Sequence, residues 1–191
     1  MEATLHLLAT VRYEDLLMED IAVAAGMSRP LLYHYFGGKE QLTAAAVRWY
    51  GRLMVEEIYR ASIAAGRAWL PASIGAYLDY VTTRSDWYRV LTRHAYLPFA
   101  EMEDVRNEIR LRVIKALQRH LAPEGSSPML RLLLWGWVGQ AESICQEWLT
   151  HGELDRDVLE PMLCELLPAA LRSNAGRDTA TNTAYRLLTG D

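Results

Sequence analysis

Apolar residues along this chain recur every three or four positions and nowhere alternate, so helices are expected from end to end. Residues 3–10 read as a short helix with Leu5 and Leu8 facing inward. Ile21, Ala22, Ala24 and Ala25 form a second helical run, and Gly26 suits the left-handed position that ends a helix. Ser28 can cap the helix that follows. Pro30 in its first turn forfeits no hydrogen bond, because those amides have no intrahelical partner, though proline disfavours helical backbone at Arg29 before it. Leu32 and Phe36 lie four apart and can plug one face of this very short helix into a core, leaving Arg29, Tyr33 and His34 to point elsewhere. Gly37-Gly38 then separates it from a long helix, Lys39 to Ala65, whose apolar positions are Leu42, Ala46, Trp49, Leu53 and Ile58 and which Gly66 ends.

Further helices are expected from Pro71 to Ser85, with Ile74, Tyr77, Leu78 and Val81 inward, and from an Asp86 cap through His94. Pro98 breaks the chain, and Glu101 to Leu121 follows as an amphipathic helix (Val105, Ile109, Val113, Leu117). Pro123-Glu-Gly-Ser-Ser-Pro128 is the clearest linker. After it come Met129 to Thr150, ended by Gly152, and a helix capped by Asp155 that runs to about Ser173. Pro161 falls in the early turns of that last helix, and Pro168 inside it predicts a kink. Residues 175–191 are small and polar and read as a loosely ordered tail, apart from a turn around Tyr185-Arg-Leu-Leu188. The fold class is therefore all-α: a head over 1–48, a larger helical domain over 49–174, and the tail.

Two short helices joined by a glycine turn, the second bearing aromatics and cations, make a helix-turn-helix. Here a family resemblance becomes specific. Ile21-Ala-x-Ala-Ala-Gly-Met-Ser-Arg-Pro-x-Leu-Tyr-His-Tyr-Phe-x-x-Lys-Glu-x-Leu42 resembles the DNA-binding signature of TetR-like (tetracycline-repressor-like) transcriptional regulators, sharply over residues 3–48 and only in architecture beyond them. The resemblance implies DNA contacts from Ser28, Arg29, Pro30, Leu31, Tyr33, His34, Tyr35 and Lys39. Chemically, Arg29 can donate twice to a guanine, and Pro30, Leu31 and the Tyr33 ring can meet thymine methyls. His34, Tyr35 and Lys39 suit phosphates, which position the protein without reading sequence.

The chain also departs from that pattern. The family's first helix begins about a dozen residues earlier and carries basic residues that touch phosphates, so either the true start lies upstream or this arm is missing. Arg12 stands where a glycine turn is usual. Leu17 stands where a serine or threonine normally caps the second helix and bonds a phosphate; losing a cap costs about 1 kcal/mol. Glu19 and Asp20 in that first turn offset part of it through the helix dipole.

Charge sharpens this picture. The chain carries 20 basic against 24 acidic residues, net −4. DNA binding must therefore come from a few placed cations and helix N-termini, not from a diffuse positive field. Cys145 and Cys164 sit in apolar helical patterns and read as buried free thiols of a reducing compartment. No leader and no apolar run of membrane-spanning length is visible, so a cytoplasmic protein is expected.

The middle helices hold Trp69, Tyr77, Tyr80, Trp87, Tyr88, His94, Tyr96 and Phe99. Such rings serve core packing equally, but as a set with Trp137 they suit a pocket for a mostly apolar ligand, as the resemblance implies. Tyr77, Tyr80, Trp87, Tyr88, His94, Tyr96, Phe99 and Trp137 are the candidates. The helices 129–150 and 155–173 read as apolar nearly all round, which calls for a partner surface. The resemblance implies a four-helix dimer bundle, with Gly136, Gly139, Gln140, Ile144, Trp148, Leu159, Leu163, Leu166 and Leu167 as its candidate residues. The five histidines show no metal-ligand spacing, and no nucleophile elbow, phosphate loop or dinucleotide fingerprint is present, so no catalytic residue, metal or cofactor is expected. The expectation is a homodimeric DNA-binding regulator, a repressor that a small molecule releases from a near-palindromic operator. The alternative is a ligand-binding or interaction protein of the same fold with weak or lost DNA binding.

Overall fold

The computed structural model describes residues 1–92 and 100–190. Ten α-helices run through them, with no strand among the described residues: α1 Glu2–Thr10, α2 Met18–Ala24, α3 Arg29–Phe36, α4 Lys39–Ala65, α5 Trp69–Thr83, α6 Ser85–Thr92, α7 Glu101–Leu121, α8 Pro128–His151, α9 Arg156–Asn174 and α10 Thr179–Thr189. Short 3₁₀ turns at Gly66–Ala68 and Ala175–Arg177 precede α5 and α10. No described helix is long and apolar enough to cross a membrane. Helix contacts gather into two compact units, Met1–Met54 with Val81–Ile109, and Val55–Tyr80 with Arg110–Asp191.

The first unit holds the head together with α6 and the start of α7. Leu5 and Leu8 of α1 and Leu16 before α2 meet Met18, Ile21 and Ala22 of α2 in a buried core. Leu32 of α3, Leu42 and Val47 of α4, and Tyr88 and Leu91 of α6 are buried in the same unit. Fully burying one such leucine contributes about 2 kcal/mol, so this small unit gains its stability from few side chains. Arg48 of α4 bridges to Glu101 and Glu108 of α7, both at 3.1 Å. Gly51, mid-helix in α4, is there for space: a Cβ would overlap the side chain of Ile109 on α7.

The second unit holds the larger amphipathic helices. Along α8 the inward face is Leu130, Leu134, Trp137, Val138, Ala141 and Cys145, and along α9 it is Leu159, Leu163, Leu167 and Leu171. Arg156 at the start of α9 fastens that helix to α5 through Asp79 at 2.5 Å and the Gly75 carbonyl at 3.2 Å. Helix α9 continues through both Pro161 and Pro168. Gly152, at φ 65°, closes α8 by donating its N–H to the Trp148 carbonyl.

The C-terminal stretch differs from the loosely ordered tail expected over 175–191. It forms α10, with Thr181 and Ala184 fully buried. The reason is a cap that the local sequence conceals. One Asp178 carboxylate oxygen accepts the Thr181 N–H at 2.8 Å and the Thr181 hydroxyl at 2.7 Å. It also accepts the hydroxyl of Ser127 at 2.6 Å, while Ser127 itself caps α8 by accepting the Leu130 N–H. One carboxylate thus ties two helix starts together. These donors, Ser127 foremost and then Thr181, hold the Asp178 carboxyl below the usual carboxylate range.

A depressed carboxyl pKa contributes stability that is present above the unfolded value, about 3.9, and is lost as pH falls through the lower folded value. Asp178→Asn is therefore expected to lower Tm by roughly 3 °C at pH 7. The gap to the natural protein should close in strong acid. Thermal melts followed by circular dichroism across pH 2 to 7 check this; a gap independent of pH would contradict it.

Candidate nucleic-acid interface

The reading element is built by its punctuation. Gly26, at φ 63°, takes the left-handed turn that ends α2. Gly37, at φ 77°, ends α3 after two turns, its N–H on the Tyr33 carbonyl. Leu32 anchors α3, 2% exposed, and Phe36 is half-buried beside it. Ser28 stands at the cap position with extended backbone but makes no side-chain cap bond, so its hydroxyl does not spend itself on α3. Arg29 is the first helical residue, followed by Pro30.

With Leu32 holding the inner face, Ser28, Arg29, Pro30, Leu31, Tyr33, His34 and Tyr35 are all exposed. Tyr35 is 67% exposed and Tyr33 40%. Neither Arg29 nor Tyr33 lies in the interior, the placement that would end a groove-reading assignment. The Arg29 guanidinium lies over the Tyr33 ring, 5.4 Å from its centroid, and pairs with Glu19 of α2. Leu17 is exposed at the start of α2, and Asp20 reaches back to accept its N–H at 3.3 Å. That supplies half of a capping box where the hydroxyl is missing.

Lys39 has a different occupation from the phosphate contact expected of it. It is half-buried, and its ammonium donates to the carbonyls of Tyr13 at 2.8 Å, Leu16 at 2.9 Å and Glu14 at 3.5 Å, above the Tyr13 ring. An ammonium has three donors, and these carbonyls use them. Burial, with Glu40 and Glu14 alongside, raises the Tyr13 phenol to about 12, which keeps the ring neutral under the cation. Lys39 thus clamps the turn that launches α2. Lys39→Met is expected to destabilise the protein by about 2 kcal/mol in urea denaturation. If Lys39 met phosphate instead, the variant would keep its stability and lose only DNA affinity and salt dependence.

In the second unit a narrow cleft lies between α4, α5 and α7. Val55, Ile58, Val113 and Leu117 wall it, with Trp69, His120, Tyr59, Ser62 and Ser73 beside them. Its cavity volume is about 20 Å³, room for one water-sized group. His120 stacks on Trp69 with centroids 4.6 Å apart and rings 4° from parallel. The Ser62 hydroxyl donates to the Tyr59 carbonyl at 2.7 Å, so its lone pair faces His120 Nε2 at 3.2 Å. Burial lowers the His120 pKa, so the ring stays neutral further into acid.

None of the five expected pocket residues that lie among the described residues lines this cleft. Tyr77, Tyr80 and Trp137 are buried in the second unit. Tyr88 is buried in the first unit, where Trp87 packs edge-on against Tyr50 at 5.9 Å. His94, Tyr96 and Phe99 lie outside the described residues. Sequence reading missed His120 and Ser62 because a lone histidine on an amphipathic helix carries no local signal; the ring that meets it, Trp69, comes from another helix.

The expected interface residues divide. Leu159, Leu163 and Leu167 are at most 1% exposed within their own protomer, which corrects their assignment to a dimer surface. Helices α8 and α9 are two-faced, not apolar all round. Gly136 and Gln140 are exposed, and Gly139, Ile144, Trp148 and Leu166 are half-buried. The outward stripe of α8 is Leu132, Gly136, Gly139, Gln140 and Ser143, and that of α9 is Val158, Met162 and Leu166. Leu132 and Val158 are 66% and 55% exposed. Cys145 and Cys164 are free thiols, and burial raises Cys145 to about 12, an unreactive state.

Comparison with known proteins meets this geometry at both ends of the chain. Residues 1–46 match the family model described as bacterial regulatory proteins, tetR family, and residues 67–170 match the tetracyclin repressor-like C-terminal domain. A crystal structure of a tetR-family transcriptional regulator from Streptomyces coelicolor is 25% identical with a TM-score of 0.80, over 100% of this chain and 86% of that one. A TetR-like transcriptional regulator from Rhodococcus sp. RHA1 is 23% identical with a TM-score of 0.60, over 92% of this chain and 93% of its own. The fold is also that of the TetR family repressor AlkX from Dietzia sp., implicated in biodegradation of n-alkanes, at 22% identity and a TM-score of 0.55, over 90% of this chain and 93% of that one.

Proposed function

Because the chain belongs to the TetR family of bacterial transcriptional regulators, we propose that it is a cytoplasmic, homodimeric repressor that a small molecule releases from a near-palindromic operator. The observation that carries this reading is the outer face of α3. Two helical turns, anchored by one buried leucine, present Arg29, Leu31, Tyr33 and Tyr35 to solvent. Only the first residues of a groove-reading helix reach base edges; Arg29, Pro30 and Leu31 stand there, with Tyr33 one turn on. Arg29 donates to guanine O6 and N7, Pro30, Leu31 and Tyr33 meet thymine methyls, and Ser28, His34 and Tyr35 hold phosphates. Lys39 acts indirectly, by fixing the turn before α2.

One short helix makes few contacts, so two heads joined by the outward stripes of α8 and α9 supply the affinity. The effector site is the cleft at His120. With space for only one water-sized group, it admits a ligand by parting the Trp69–His120 stack. Helix α4 supplies Val55, Ile58, Tyr59 and Ser62 to that cleft and Lys39 to the head clamp. A ligand that fits better with α4 shifted favours the DNA-free state by that difference in affinity and no more. The role is regulatory, not enzymatic.

A second reading, a protein of this fold with weak DNA binding, has its own support: Arg29 is tied to Glu19 and Lys39 to carbonyls. Selection from a pool of random duplexes with the full chain separates the two. The proposed function expects enrichment of a two-fold sequence with half-sites about one helical turn apart. No enrichment would overturn it in favour of the second reading.

A further inference from the structure

The Glu19–Arg29 pair is the feature of the head that the proposed function leaves unused. Glu19 sits in the first turn of α2 and Arg29 opens α3, and their side chains meet across the glycine turn through Glu19 Oε1 and Arg29 Nη1. The guanidinium also lies over the Tyr33 ring, 5.4 Å from its centroid. A hydrogen bond with Tyr33, and then the Glu19 charge, raise the Arg29 pKa further above its already high value. Both partners are about half exposed, so the pair adds little to stability. Its consequence is orientation. A free arginine surrenders many rotamers when it binds; one already held by two partners surrenders fewer.

We propose that Glu19 is the positioning residue that sets the head's base preference: it holds the Arg29 fork against Tyr33 in the orientation that reads guanine. This rests on α3 being the DNA-reading helix. Arginine has five N–H donors in a rigid fork, so Nη1 can keep one proton on Glu19 while other donors meet O6 and N7 of guanine. Opposite any other base those donors find no such pair, and Glu19 restrains the cation from swinging to a phosphate. The carboxylate also repels the DNA backbone, whatever the sequence. Glu19 therefore lowers affinity for all duplexes and lowers it most for wrong ones, which is how specificity rises as a difference of affinities.

The test uses the full chain and a duplex it selects from a random pool. The base position at which Arg29→Ala loses preference is located first. Fluorescence anisotropy then measures Glu19→Ala and Glu19→Gln on three duplexes: the selected one, one changed at that position in both half-sites, and an unrelated one. Glu19→Ala is expected to tighten the unrelated duplex about threefold. It should also shrink the preference for the selected over the changed duplex about tenfold. A second selection with Glu19→Ala should return that position degenerate and the others unchanged, with Glu19→Gln in between. Thermal melts within ~2 °C of the natural protein show that the head stays folded. A preference within twofold of the natural protein, or equal weakening on all three duplexes, would overturn the role of Glu19 while leaving α3 as the reader. If the natural protein enriches nothing, or Arg29→Ala binds as before, the reading of α3 falls and this inference with it.

Discussion

Arg29→Ala together with Tyr33→Ala is expected to weaken binding to the selected operator by about 10³-fold or more. A bidentate arginine–guanine contact discriminates by roughly tenfold to a hundredfold. Each head makes it once, and a two-fold dimer makes it twice, so the loss is squared before Tyr33 is counted. Residual binding should be the salt-dependent, sequence-independent attraction to phosphates. Folding should survive, because both side chains point outward and Leu32, which anchors α3, is untouched. Fluorescence anisotropy on the selected duplex, beside a near-ultraviolet circular dichroism spectrum, reads both halves of the expectation. Affinity within threefold of the natural protein, with the spectrum unchanged, would remove α3 from the DNA interface.

Gly136→Arg should convert the proposed dimer to a monomer. Gly136 is exposed on α8, and a Cβ added there meets nothing within 4 Å in its own protomer, so the substitution leaves the protomer's core alone. It should strengthen α8 itself by about 0.5–1 kcal/mol, since mid-helix glycine is the poorer helix former. What it blocks is close approach of a second helix, and burying its charge unpaired costs several kcal/mol, on the order of 10³-fold in dimer affinity. Light scattering should then give a mass near 21.7 kDa where the natural protein gives twice that. Operator affinity should fall by roughly 100-fold as the second head is lost. A variant that melts no lower yet runs as a monomer separates interface from folding. A Gly136→Arg protein that remains dimeric would place the interface elsewhere.

These two expectations differ in how much of them the sequence carried. At α3 nearly everything was legible. Gly26 takes the left-handed backbone that the pattern asked for, Gly37 ends α3 where a break was expected, and Leu32 is the anchor that its spacing implied. Such features are local, since a glycine's backbone freedom and a four-residue period act within one or two turns. At α8 and α9 only helicity was legible. Leucines 159, 163 and 167 recur at four-residue spacing, and Leu166 stands beside them. An apolar count does not say which stripe the protomer covers for itself.

The chain by itself determined where the helices before the tail form, that a short one carries Arg29, Tyr33 and Tyr35, and the family signature these residues compose. Tertiary structure alone decided partners. Lys39 is spent on carbonyls 23 to 26 positions earlier, Glu19 reaches Arg29 across a turn, and Asp178 finds Ser127 at a separation of 51 residues to make a helix of an apparent tail. His120 meets Trp69 only once α5 and α7 lie side by side. The physical reason is range: periodicity and capping act over a few residues of backbone, while a charge or ring takes whichever partner packing brings within a few ångströms.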